Sequence, residues 1–280
     1  MNKVNKNLLF GGFLLGMVIL MCITSYFYLP YRPEEMDSFN TYLKPGASPS
    51  HILGTDHFGR DILSRIMVGS RTVLLIGFVS VTIGAAGGIL LGTVAAMAKG
   101  VIGSVIMRAI EGLMAFPGTL LALMLVAVVG KGQQGAIIAI SIYTIAPFAR
   151  LTYTLILENE SQLSIKAARS FSTGPLRLFY RYYLPSLLPK LLTQFSSSVG
   201  SAIMTEASLS FLGLGVQPPG ASWGLMLSEA KQFALLYPYL AVAPGVAIFL
   251  TVLSFYLISD GLNDILIERR TVAWPKSRRR

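Results

Sequence analysis

A chain of 280 residues that is 53% hydrophobic and only 13% charged, with a mean hydropathy of +0.63, is too apolar for a soluble domain, where about a quarter of residues carry charge. In a soluble protein a net charge of +10 and a pI near 9.8 would suggest nucleic acid; here the bases lie between apolar runs, and the bias of Lys and Arg toward the cytoplasmic side of a membrane accounts for them. The single cysteine, Cys22, lies in an apolar run and excludes an internal disulfide, and two histidines six residues apart argue against an imidazole metal site.

Lys3 and Lys6 precede an apolar run from Leu8 to Leu29, long enough to cross a bilayer. A basic start followed by an apolar run also fits a signal peptide. The run is long for one, however, and Tyr26, Phe27, Tyr28 and Pro30 stand where a small-residue cleavage site would be. The sequence therefore predicts an uncleaved first span within residues 1–29.

Residues 30–72 form the first long polar segment. Pro33, Pro45, Gly46 and Pro49 keep its first half irregular. In its second half Asp56 is placed to cap a short helix with Ile62, Leu63, Ile66 and Met67 on one face, lying along the membrane surface. His51 and His57 are expected as solvated loop residues. Leu53-Gly54-Thr55-Asp56, Gly59-Arg60-Asp61, Ser64-Arg65, Gly69 and Arg71 together resemble the signature of the peptide/nickel family of ABC-importer permeases, in its C-type subunit. For Gly54, Thr55, Asp56, Gly59, Arg60, Asp61 and Arg65 the resemblance implies a structural or gating role. The charged members read as a local salt-bridged cap.

A second span is expected from Val73 to Ala98. Gly84, Gly88 and Gly92 repeat every four residues, the spacing that brings helices close in lipid. No Gly-Lys-Ser/Thr follows these glycines, so they form no phosphate loop and the chain is expected to hold no ATP itself. A third stretch, 104–129, contains Glu111, placed to pair with Arg108, and Pro117, which predicts a kink. A fourth span covers Ala136 to Leu157, with Arg150 near its cytoplasmic end.

Between the fourth and fifth spans, residues 158–186 are polar and basic, with Lys166, Arg169, Arg177 and Arg181. A short helix opens at Ala167-Ala168, breaks at Ser172-Thr173-Gly174-Pro175, and a second runs from Leu176 to Tyr183 into Leu184-Pro185. Alone, these residues fit either an ordinary basic loop or a knob between spans. They are similar to the cytoplasmic coupling loop of ABC-importer permeases: Ala167, Ala168, Leu184 and Pro185 match, while Lys166 stands for the usual Glu and Ser172 for the usual Gly.

A fifth span runs from Leu187 to about Leu209. Glu206, near its outer end, is expensive in a membrane and so is a candidate for the transport pathway or for a subunit contact. The run from Glu206 to Gly215, with Pro218-Pro219 and Ser222-Trp223-Gly224, again resembles the peptide/nickel family and predicts an ordered external turn with Trp223 at the membrane interface. A sixth span, 237–259, is interrupted by Pro244-Gly245. It ends at Asp260-Gly261-Leu262-Asn263-Asp264, and a basic tail follows over 265–280, expected to meet anionic lipid and not nucleic acid.

Six spans place both termini on one side. With that side taken as cytoplasmic, sixteen of the 23 bases lie inside, and seven (Arg32, Lys44, Arg60, Arg65, Arg71, Lys131 and Lys231) lie outside. The resemblance covers about Leu53 to Asp264. It implies an all-α polytopic membrane protein with the type I importer permease fold, whose core occupies 73–264, in a bacterial plasma membrane. It implies a B-type permease, two ATPase subunits holding ATP and Mg, and an extracytoplasmic binding protein as partners. The cargo would be peptides, nickel or metal chelates, and the chain itself would be no enzyme. Lys166, Ala167, Ala168, Ser172, Gly174, Arg177, Arg181, Leu184 and Pro185 would couple it to an ATPase. Two alternatives stand beside this: an ion-coupled secondary transporter, which calls for more intramembrane acids than Glu206, and a non-transporting scaffold.

Overall fold

The structure, a computed structural model, describes residues 5–98, 100–170 and 174–273. Lys3, Lys99, Ser172 and the tail bases Lys276, Arg278, Arg279 and Arg280 lie outside the described residues.

Six passes run along one helical bundle. Helix α1 (Lys6–Phe27) leads to an irregular segment and then to α2 (Ile62–Ala98). Helices α3 (Gly100–Met114) and α4 (Gly118–Val129) return, and α5 (Gln133–Asn159) descends again. Two short helices follow, α6 (Leu163–Ser170) and α7 (Pro175–Leu178), with a π-helical turn at Phe179–Tyr183. Helix α8 (Leu184–Phe211) ascends, α9 (Trp223–Ala230) caps, and α10 (Tyr239–Ala273) closes the bundle. Residues 30–61 and α9 therefore share one end, the cap end, and α6 and α7 lie at the other.

By length and composition four helices are apolar enough to cross a membrane, and five if α3 and α4 count as one. The remaining expected span, the fifth, is α8, which has 28 residues and so the length, about 40 Å. Gln194, the serine run 196–198 and Glu206 make it too polar to qualify by composition, although it packs against α2, α5 and α10 like the rest.

Three expectations are corrected. No separate surface helix precedes the second span: α2 starts at Ile62, and Ile62, Ile66 and Met67 are buried in the bundle. That apolar face is instead covered inside the fold, where Leu63 and Ile66 line a cleft with Leu14, Val18 and Tyr239. At Pro117 the chain does not kink but breaks, and α3 and α4 meet at 95°. No ion pair joins Arg108 and Glu111 among the described residues, and both are exposed.

Small residues decide the packing at the centre. A Cβ on Gly84, Gly88 or Gly92 would stand 2.8 Å from Ser141 O, 2.5 Å from Ile145 O and 2.4 Å from Ala149 O. These glycines therefore let α2 and α5 touch backbone to backbone, the approach that drives helix association where lipid offers no hydrophobic gain. Helix α1 packs mainly on α10, where Gly11 meets Leu257, Gly261 meets Leu8, and Asn5 Nδ2 donates to Gly261 O and Asp264 Oδ2, and it also meets α2, whose Arg71 donates to Ser25 Oγ. Its other face, with Leu9, Phe10, Phe13 and Leu20, is exposed.

Candidate functional site

At the cap end the signature residues fold into a tight double turn. Gly54 has φ +81°, and a side chain there would meet Leu43 O at 2.1 Å. Gly59 has φ +75°, and its Cβ would meet Asp37 O at 1.9 Å. Both positions need a left-handed backbone and close contact with the 37–43 strand of chain, which only glycine permits. Thr55 Oγ1 accepts from Leu43 N at 3.0 Å and donates to Asn40 O, so the turn is pinned on both sides.

Asp56 Oδ1 accepts from the backbone N–H of Phe58 (2.8 Å) and Arg60 (3.0 Å). Its Oδ2 takes Arg60 Nε and Arg65 Nη1, both at 2.7 Å. Glu229, from α9, completes the group: its Oε2 accepts from Arg60 Nη2 at 2.9 Å and Arg65 Nη1 at 2.7 Å. Two carboxylates and two guanidiniums thus form a neutral cluster that is buried or nearly so. Asp61, and not Asp56, caps α2: its Oδ2 accepts from Ser64 N and Ser64 Oγ, while Oδ1 meets His51 Nδ1 at 3.0 Å. His51 is buried and stacks on Tyr31, contrary to the expected solvated loop residue, because the cap carboxylate needs a second partner.

The charged signature residues are therefore not a purely local cap. Arg60 and Arg65 reach a residue 169 and 164 positions away. Glu229 is not legible as a partner in the sequence, because the segment from Pro30 to Arg71 holds five bases and five acids and already balances by itself. Half-buried His57 stacks on Phe233, and burial lowers its pKa. Asp37 is also held below its ordinary pKa, by hydrogen bonds from the Asn40 side chain and from Phe39 N.

Helix α9 is fixed at its start as well. Trp223 is fully buried, not at the membrane interface; its Nε1 donates to Ile66 O at 3.0 Å, and Gly69 makes room for its ring. Gly224 lies so close to Ala207 that a Cβ would stand 2.4 Å from its carbonyl oxygen. Ser222 caps α9 by accepting from Leu225 N. Glu206, fully buried in α8, accepts from Ser210 Oγ at 2.7 Å, and Ser210 Oγ in turn accepts from Val216 N. Glu206 is thus enclosed within this chain.

At the opposite end, Lys166, Ala167, Gly174, Arg177 and Arg181 are exposed, as are Leu176 and Tyr180. Ile165, Ala168, Leu178 and Tyr183 are buried beneath them. Leu184 and Pro185 begin α8, so the second helix of this connection passes into the fifth span without a break. The result is a ledge whose floor packs on the bundle and whose upper surface of small, basic and apolar residues is open.

An all-helical bundle with such a ledge and a sealed cap has the build of a transporter's membrane component. The chain matches the family described as binding-protein-dependent transport system inner membrane component over residues 88–272. It is 41% identical over 254 residues to a glutathione transport system permease protein GsiD of Pectobacterium atrosepticum, covering 90% of this chain and 84% of the relative. It is 42% identical over 251 residues to the GsiD protein of an Escherichia coli strain, covering 89% and 83%. Its fold is similar to a chain of the inward-facing MetNI methionine ABC transporter, with a TM-score of 0.55 and 19% identity over 72% of this chain and 95% of that one. The chain belongs to the family of binding-protein-dependent transport inner membrane components and is a permease of an ABC importer. Neither an ion-coupled secondary transporter nor a scaffold fits that membership.

Proposed function

We propose that this chain is the C-type permease of a heteromeric importer of small peptides of about the size of glutathione, working with a B-type permease, two ATPase subunits and an extracytoplasmic binding protein. The observation that carries the cargo class is the likeness to glutathione permeases along nine-tenths of the chain. In this reading ATP and Mg bind in the ATPase subunits. The exposed ledge of Lys166, Ala167, Arg177 and Arg181 is the surface an ATPase grips, with Gly174 at the start of its second helix. Small Ala167 permits close approach, and the two arginines supply charge at the dock. ATP-driven closure of the ATPases moves the ledge and shifts the spans between inward- and outward-facing arrangements.

The charge bias puts both termini and the ledge in the cytoplasm of a bacterium and the cap end outside its plasma membrane. Purification of the tagged chain in mild detergent tests the assembly: two ATPase subunits are expected to accompany it, and a chain that emerges without them sinks the reading. Binding of glutathione and of di- and tripeptides to the purified partner binding protein tests the cargo. Tight nickel binding with no peptide binding would reassign it.

A further inference from the structure

The signature cluster and the ledge lie at opposite ends of one helix. Helix α2 is 37 residues long, about 55 Å, and contains no proline. Its first turns hold Arg65 of the four-charge cluster, Ile66, whose carbonyl takes Trp223 Nε1, and Gly69, on which the Trp223 ring rests. Its last turns reach the ledge: Leu90, Thr93 and Met97 line one cleft with Leu176, Phe179 and Tyr180. Between these points Gly84, Gly88 and Gly92 bind it to α5, which runs directly into α6.

We propose that Asp56, Arg60, Arg65 and Glu229 weld α9 and the 30–61 segment to the outer end of α2, and that α2 is the rod that carries the arrival of the loaded binding protein from this cap to the ATPase ledge. Glu229 is then a positioning residue: it touches no cargo and acts by fixing α9 to the rod. Separating α9 from α2 would leave Glu229 facing no cation and two guanidiniums sharing one carboxylate. Uncompensated buried charge is strongly unfavourable, so the weld stays closed and the cap and rod move as one body. Contiguous packing between two sites can carry energetic coupling, and it counts as coupling only when a change at one end is read at the other.

The functional half of this inference rests on the importer reading. The test uses the full complex with its partners in nanodiscs, as wild type, Glu229→Gln, Arg60→Gln and the double variant. Each single variant leaves one unbalanced buried charge; the double variant is neutral again, with Asp56 facing Arg65. Each single variant is expected to lose at least fivefold of the ATP hydrolysis stimulated by loaded binding protein, while basal hydrolysis per complex stays within twofold. The double variant is expected to recover at least half of the lost stimulation. A smaller loss in the singles, a parallel fall in basal hydrolysis, or a smaller recovery in the double overturns the proposal. Where the singles fail to accumulate, the double decides: a complex that forms and is stimulated supports the neutral weld, and one that is absent or unresponsive overturns it. A wild-type chain without ATPases is failure of the importer reading instead, and is visible before any variant is made.

Discussion

The two ends of the bundle are built on opposite plans. At the cap end every charged signature side chain has its partner within this chain, and the glycines at 54 and 59 are crowded by backbone. At the ledge end the arginines at 177 and 181 stand exposed, and Gly174 has nothing within 4 Å of the Cβ it lacks. Similar ingredients, basic residues beside small ones, therefore do different work. Sealed within the chain, they fix geometry; left open, they wait for another protein. Burial, not residue type, separates the two.

Substitutions at the two ends turn this contrast into measurements. The largest loss is expected for Asp56→Ala, which leaves two buried guanidiniums sharing Glu229 alone and strips two backbone N–H groups of their acceptor; removing one partner of a buried pair costs about 3–5 kcal/mol. Thermal unfolding in detergent reads it, and a midpoint equal to wild type would mean the cap is not sealed. Gly59→Ala comes next. Its strained φ alone costs about 1–3 kcal/mol, and the added methyl displaces Asp37 O as well.

A smaller effect follows pH. Because burial lowers the pKa of His57, the unfolded chain binds its proton more readily than the folded one. The stability tied to neutral His57 is present above the unfolded value near 6.5 and fades as pH falls through the lower folded value. His57→Phe is expected to remove that part of the acid dependence of the midpoint; an unchanged profile would place the acid sensitivity elsewhere. At the other end Ala167→Trp is expected to leave the stability within about 0.5 kcal/mol of wild type, since it alters an exposed site. Stimulation of the ATPases by loaded binding protein is expected to vanish, and stimulation at the wild-type rate would remove the ledge from the coupling path.

Local pattern made part of this legible. The grouping of Asp56, Arg60 and Arg65 and the small-residue face of Gly84, Gly88 and Gly92 are each set by residues within a few turns of one another. What escaped depends on distant partners. Glu229 acquires meaning only when α9 folds back onto α2, and Trp223 reads as an interface residue until Gly69 makes room for it. The expected surface helix near Ile62 and the expected span from Val73 are one helix, although Arg65 and Arg71 are charged. In the fold Arg65 is spent on the cluster, and Arg71 donates to Ser25 and lies over the Tyr26 ring, so the helix runs through them. The 95° elbow at Pro117 exceeds what one proline implies, since residues 115–117 leave the helix altogether.

The seating of α1 on α10 sets an order of events during synthesis. Leu8 and Gly11 emerge from the ribosome about 250 residues ahead of Leu257 and Gly261, the groups they pack against. At 5–20 residues per second that gap lasts roughly 10–50 s. Through this interval α1 must remain in lipid with its α10 face uncovered, held by its own apolar surface and by α2, and that face docks only when translation is nearly finished.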